Sequence, residues 1–263
     1  MDPILQTQEL RKTFGGVVAL DGVDFEVNLH QIKAVIGPNG AGKTTIFNLI
    51  SGIYPPTSGT IKFRQHRING LRPYVVAEKG ISRTFQNVQV FENMSLLENV
   101  MVGRHCRTRS EFFAAIMNLK STRSEEKSIH DYSLEMLSFV GLEAKKDEAA
   151  SNLTFQQQKL LEFARALATE PELLLLDEPA GGLSVPEADE LAQLIYRIRE
   201  TGITILLVEH DMGLVMEVSD QVVVLNSGKV IAEGTPREVQ NDEAVIAVYL
   251  GEREEENVDH TKS

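Results

Sequence analysis

Cysteine is almost absent from the 263-residue chain: Cys106 stands alone, so no internal disulfide can form and a reducing setting is expected. Long apolar stretches are missing too. Runs such as Leu173–Leu176 and the mostly apolar Ile203–Val208 fall far short of the roughly 18–20 residues that a membrane-spanning helix needs. The opening residues, MDPILQTQEL, have neither a basic start nor an apolar core, and a secretory signal is not expected there. Basic charge is in short supply, with 26 Lys and Arg against 38 Asp and Glu. The net charge of −12 rules out general attraction to a nucleic-acid backbone, so any anion must be captured locally. What remains is 42% hydrophobic and 24% charged, close to an average globular protein. At about 150 residues per domain, this length predicts one large domain or one with a sizeable subdomain.

Short β-rich runs at 23–27, 32–36, 60–63, 81–85, 173–176, 203–208, 222–225 and 230–232 alternate with helical patterns, which predicts an α/β sheet. The runs at 173 and 203 do not alternate, as expected of central parallel strands covered on both faces. The stretch from 93 to about 150 carries helical patterns alone and reads as an inserted helical subdomain, with Gly103 and Gly141 as helix stops. The predicted organisation is therefore an α/β core over 1–92 and 152–250, a helical subdomain over 93–151, and a charged, disordered tail over 251–263. The charged segment 104–127 is expected to be exposed.

Residues 37–45 read Gly37-Pro38-Asn39-Gly40-Ala41-Gly42-Lys43-Thr44-Thr45, directly after an apolar strand pattern and directly before a helical one. That is the G-x-x-x-x-G-K-[ST] phosphate loop in its required context. Glycines let successive N–H groups point at one centre, and the helix that starts there adds about half a positive charge. Lys43 is placed to reach the β and γ phosphates and the Thr44 hydroxyl to sit on Mg²⁺. A second acidic site, Asp177-Glu178, follows Leu173–Leu176, at the carboxyl end of a buried strand where open α/β sheets bind ligands. There Asp177 is a candidate Mg²⁺ partner and Glu178 a candidate base for a water attacking the γ-phosphate.

With these motifs in place, the chain from about Leu10 to Leu250 resembles the nucleotide-binding subunits of ATP-binding cassette (ABC) transporters, and most of all those of branched-chain amino-acid importers. The resemblance implies a P-loop NTPase fold with a mostly parallel core sheet, an antiparallel β subdomain and an inserted helical subdomain. It also implies ATP and Mg²⁺ as ligands. By matching positions, Phe14 would stack on adenine, with plain core burial as the duller alternative. Gln86 would join the two subdomains and sense Mg²⁺ and the γ-phosphate, and His210 would be the switch histidine on that phosphate. Thr154, Phe155, Gln156 and Gln157 occupy the signature that one subunit offers to the ATP held by its partner.

Two positions depart from the family pattern. Gln156 stands where the signature has a glycine, and a side chain there fills space needed for close approach to a phosphate, unless it swings aside. Ser184 stands where Asp or Asn is usual, and with Glu187 three residues later it is expected to cap the following helix. The resemblance implies transmembrane permease subunits as partners, a second cassette (a heterodimer is favoured, since Gln156 would damage both sites of a homodimer, with a homodimer as the alternative), and indirectly a periplasmic or extracellular solute-binding protein. Gln86 and the helical subdomain would form the coupling surface, on the cytoplasmic face of the membrane. Coupling to soluble partners, or binding ATP with little turnover, remain alternatives, as do urea, other amino acids or lipid as the transported solute.

Overall fold

The computed structural model describes residues 3–84, 88–105 and 119–249, with the backbone alone at 105 and 119–125. Cys106, Gln86 and the tail over 251–263 lie outside the described residues, as does much of the 104–127 segment. The chain divides into two compact units, one built from 1–73 with 175–263 and the other from 74–174.

The first unit contains two sheets. One is antiparallel and runs in the order β2-β1-β4-β5, from β1 (Leu5–Phe14), β2 (Val17–Val27), β4 (Ser58–Phe63) and β5 (His66–Arg67). Leu5 lies between Val27 and Phe63 in register, and these inward residues are all buried. Thr7 is buried beside them because its hydroxyl is satisfied by the backbone N–H and C=O of Phe25. Sequence periodicity does not reveal β1, since register shifts after Thr7, Leu10 and Lys12 break its alternation.

The other sheet runs β10-β9-β3-β8-β7 through this unit. It is made from β3 (Ile32–Ile36), β7 (Leu173–Asp177), β8 (Thr204–Val208), β9 (Gln221–Asn226) and β10 (Lys229–Gly234). β3 pairs in parallel with both β8 and β9, and every residue of β3, β7 and β8 is buried. This is the outcome expected of apolar runs without alternation, and each fully buried Leu or Ile contributes about 1.5–3 kcal/mol. Lys33 survives inside β3 because its ammonium donates to the Glu26 carbonyl at 2.6 Å and pairs with Glu233. The helices α1 (Lys43–Ile50), α6 (Val185–Glu200) and α7 (Met212–Val218) follow β3, β7 and β8 in turn, so three strand-to-helix loops open at one end of the sheet.

The short helix α2 (Pro73–Glu78) leads into the second unit, where β6 (Ile81–Arg83) lies beside the start of β7, with the amides of Glu172 and Leu173 donating to the Gly80 carbonyl. Three helices, α3 (Leu96–His105), α4 (Leu119–Phe139) and α5 (Phe155–Leu167), pack on one another. Gly141, at φ +80°, closes the turn after α4 as expected of a helix stop. Gly103 does not stop a helix; it lies inside α3. A Cβ there would meet the Arg165 carbonyl at 2.3 Å, so this glycine lets α3 approach the α5 backbone.

Candidate functional site

The loop after β3 shows why its glycines are glycines. Gly37, Gly40 and Gly42 have φ of +148°, +79° and +107°, a region that side chains disfavour. Cβ atoms at Gly37 and Gly42 would also lie 2.1 Å from the Leu225 carbonyl and 2.7 Å from the Ala19 carbonyl. Gly42 is the N-cap of α1 and, having no side chain, brings bare backbone to the start of the helix, the end that favours an anion. Pro38 and Asn39 form the outer turn, and Ala41 is buried with its N–H on the Pro38 carbonyl. Lys43 is 7% exposed, and its ammonium rests on the carbonyls of Gly37 at 2.6 Å and Pro38 at 2.9 Å. Thr44 and Thr45 follow in the first turn of α1, with Thr44 exposed.

Asp177 ends β7 and is buried. Glu178, the next residue, has φ +47°, which for a residue with a side chain costs about 1–2 kcal/mol. Such strain persists only where neighbours enforce it, and here the Glu178 amide donates to the Val208 carbonyl at 2.8 Å. The left-handed backbone turns the chain out of the sheet and leaves the carboxylate partly open to solvent. His210, in the loop after β8, carries its imidazole Nδ1 3.8 Å from Glu178 Oε2. Residues 32 positions apart in sequence thus meet because β7 and β8 are neighbours.

Phe14 ends β1 and is 41% exposed, so core packing does not account for it. It stands edge-on to Tyr54, with ring centres 5.4 Å apart, and the Lys12 ammonium lies 4.8 Å from its ring centre while donating to the Pro55 carbonyl. Sequence reading does not single out Tyr54 or Lys12. An exposed aromatic pair of this kind offers a flat apolar face to a planar base. Thr44 and Asp177 each carry a hard oxygen donor, the kind Mg²⁺ takes when phosphate oxygens and water complete the shell. Among the described residues no cluster of three or more acidic, His or Cys side chains forms a closed metal cage.

In the second unit, Thr154 caps α5 in a reciprocal box: the Gln157 amide donates to its hydroxyl at 3.3 Å, and its own amide donates to Gln157 Oε1 at 3.2 Å. Phe155 is exposed, with the Lys159 ammonium 5.2 Å from its ring centre, and Gln156 is half-buried at the second position of the helix. Ser184, back in the first unit, caps α6 as expected, its amide and hydroxyl both 2.7 Å from Glu187 Oε2. These two bonds hold the Glu187 carboxyl below the usual range.

The second unit also carries a cleft of about 450 Å³ lined by Ser82, Gln89, Phe91, Gly103, Glu162 and Arg165 among others. Burial pushes the Glu162 carboxyl above the usual carboxylate range, against the Gln89 amide at 2.8 Å and Arg165 at 3.5 Å. Burial likewise lowers the Arg165 guanidinium, against the opposing charge of Glu162.

A strand, a glycine cradle at a helix N-terminus and an acidic strand end with one strand between them define a P-loop nucleotide-binding cassette. The family model described as ABC transporter matches residues 20–181, and one described as branched-chain amino acid ATP-binding cassette transporter matches residues 229–255. The chain belongs to the ABC transporter family. It is 43% identical to the high-affinity branched-chain amino acid transport ATP-binding protein BraF of Pseudomonas aeruginosa over 95% of this chain and 98% of the relative. It is 42% identical to the corresponding protein LivG of Escherichia coli over the same shares. Among solved structures, a nucleotide-free ATP-binding cassette from an ABC transporter aligns with a TM-score of 0.82 and 32% identity, covering 94% of this chain and 99% of that one. The ADP conformation of MJ1267, an ATP-binding cassette of an ABC transporter, aligns with a TM-score of 0.83 and 31% identity over 95% of this chain and 100% of that one.

Proposed function

We propose that the chain is the ATP-hydrolysing subunit of an ABC importer for branched-chain amino acids. The observation that carries hydrolysis is the meeting of Glu178 and His210 beside the strand that leads into Lys43. Backbone amides of the glycine loop and the first turn of α1 cradle the phosphates, Lys43 draws charge from the β and γ oxygens, and Phe14 stacks on adenine. Water attacks the γ-phosphorus and gives its proton to Glu178, the bond to the bridging oxygen breaks, and ADP and phosphate leave. His210 contacts the γ-phosphate. Thr44, Asp177 and Gln86 are the side chains that would hold Mg²⁺, which would neutralise charge on the phosphates.

Domain roles follow the same reading, with the helical region carrying the signature and the α/β core the nucleotide. The cleft beside Glu162, together with the exposed Phe91 and Met94, is the surface for a permease loop. No helix among the described residues is long and apolar enough to cross a membrane, so attachment to the cytoplasmic face comes through permease subunits. The test is purification in detergent with its membrane partners and measurement of ATPase activity with a leucine-loaded binding protein. A stable membrane complex stimulated by that protein is the expected result. A soluble complex with ribosomes or DNA, or no stimulation, refutes the proposal.

Gln156 makes the complex asymmetric. This chain keeps Lys43, Thr44, Asp177, Glu178 and His210 for its own nucleotide, but presents the partner's nucleotide with a side chain where backbone should approach. Loss of one preorganised donor typically costs about 10²-fold or more in rate. Gln156→Gly in a heterodimer with a second cassette is therefore expected to raise turnover at the partner's site by up to about 10²-fold and to leave the Lys43 site unchanged. Base-removing variants of either subunit separate the two rates. No gain, or an equal gain at both sites, contradicts the asymmetry.

A further inference from the structure

We propose that Glu209 is a positioning residue for hydrolysis, whose buried carboxylate fastens the loop carrying Glu178 to the loop carrying His210. Glu209 follows β8 and is 0% exposed. Its Oε1 accepts the Ala180 amide at 2.9 Å, two residues past Glu178. Its Oε2 accepts the amides of His210 at 2.8 Å and Asp211 at 3.1 Å. The imidazole Nδ1 of His210 lies 3.5 Å from that same oxygen. Asp211 in turn caps α7 through Gly213 and Leu214.

A buried carboxylate is costly unless its oxygens are hydrogen-bonded, and here three backbone donors converge on it. Only a group with two acceptor oxygens satisfies donors on both sides. A Gln at this position has one oxygen, so its NH₂ must face an N–H on one side, donor against donor. Together with the Glu178 amide on the Val208 carbonyl, the carboxylate closes a ring of bonds around the left-handed Glu178 backbone. Opening that ring lets Glu178 relax, which moves its carboxylate off the line of the attacking water. The phosphate loop has its own bonds, from the Lys43 ammonium to the Gly37 and Pro38 carbonyls and from the Gly228 amide to the Ala41 carbonyl, and is left in place. The inference rests on Glu178 being the base.

The experiment uses the full chain in its assembled complex, with Glu178→Gln as the reference for the base. Glu209→Gln is expected to lower kcat roughly 10- to 100-fold, the scale of a misplaced catalytic group. Its KM for ATP and Kd for ADP are expected to stay within about 2-fold, since the lost interaction acts in the transition state. Glu238→Ala removes the acceptor that Glu238 offers to the Thr235 amide and hydroxyl at the start of α8 (Pro236–Gln240), and serves as the control for simple destabilisation, with kcat unchanged. Hydrogen exchange on the unaltered chain reads the ring directly: the amides of Ala180, His210 and Asp211 should exchange as slowly as those of β8. Should Glu209→Gln fail to fold, this measurement decides by itself. Wild-type kcat in Glu209→Gln, a matched rise in KM with loss of ADP affinity, or fast exchange of the three amides overturns the inference. If Glu178→Gln itself turns over normally, the assignment of the base has failed instead.

Discussion

Glu178→Gln is expected to abolish nearly all ATP turnover, by about 10²- to 10⁴-fold, the range that one positioned general base supplies. Gln keeps the size of the side chain and can still orient a water, but it cannot take the proton. The backbone around it, held by Val208 and reached by Glu209 through Ala180, is unchanged by the substitution. ATP binding should therefore persist, and a nucleotide-bound dimer should accumulate because the step that opens it is missing. Equilibrium binding of labelled ATP beside steady-state phosphate release separates the two quantities, and sedimentation with ATP follows the dimer. Hydrolysis at the wild-type rate in the assembled complex would show that another group takes the proton.

Lys43→Ala is expected to act one step earlier, on binding. The Lys43 ammonium is nearly enclosed by the loop and leans on its carbonyls, so it sits beside any phosphate that the loop amides receive. Removing one partner of a largely desolvated charge pair costs about 2–5 kcal/mol, which corresponds to roughly 30- to 4,000-fold in Kd. The loss should be smaller for AMP, which lacks both phosphates that Lys43 addresses. Isothermal titration with ATP, ADP and AMP gives that ranking. Equal weakening for all three would point to collapse of the loop instead of a lost contact.

The glycine loop is legible in sequence because local and distant constraints select the same residue. Gly37 and Gly42 are required both by positive φ and by carbonyls from Leu225 and Ala19. Asp177 and Glu178 are legible because four leucines mark a strand buried on both faces, and its end is a place of known chemistry. Gly103 is misleading for a related reason. Sequence shows a glycine in a helical pattern, and a helix stop is the local explanation, whereas the real constraint is the Arg165 backbone 62 residues further on. Tyr54 has no local signature, since its partner Phe14 is reached only by pairing β1 with β4.

Glu209 carried a signal that local reading passes over: a charged residue directly after a buried parallel strand, next to a histidine of interest. Its meaning depends on the Ala180 amide, 29 residues earlier. By itself, the amino-acid sequence determined the class of fold, the phosphate cradle and the acidic strand end, because steric limits on φ and the burial of apolar runs act over a few residues. Tertiary structure alone decided which side chains share one site. The order β3-β8-β7 is what brings Lys43, Glu178, Glu209 and His210 to a common edge, and hydrogen bonds between loops form only once that order exists.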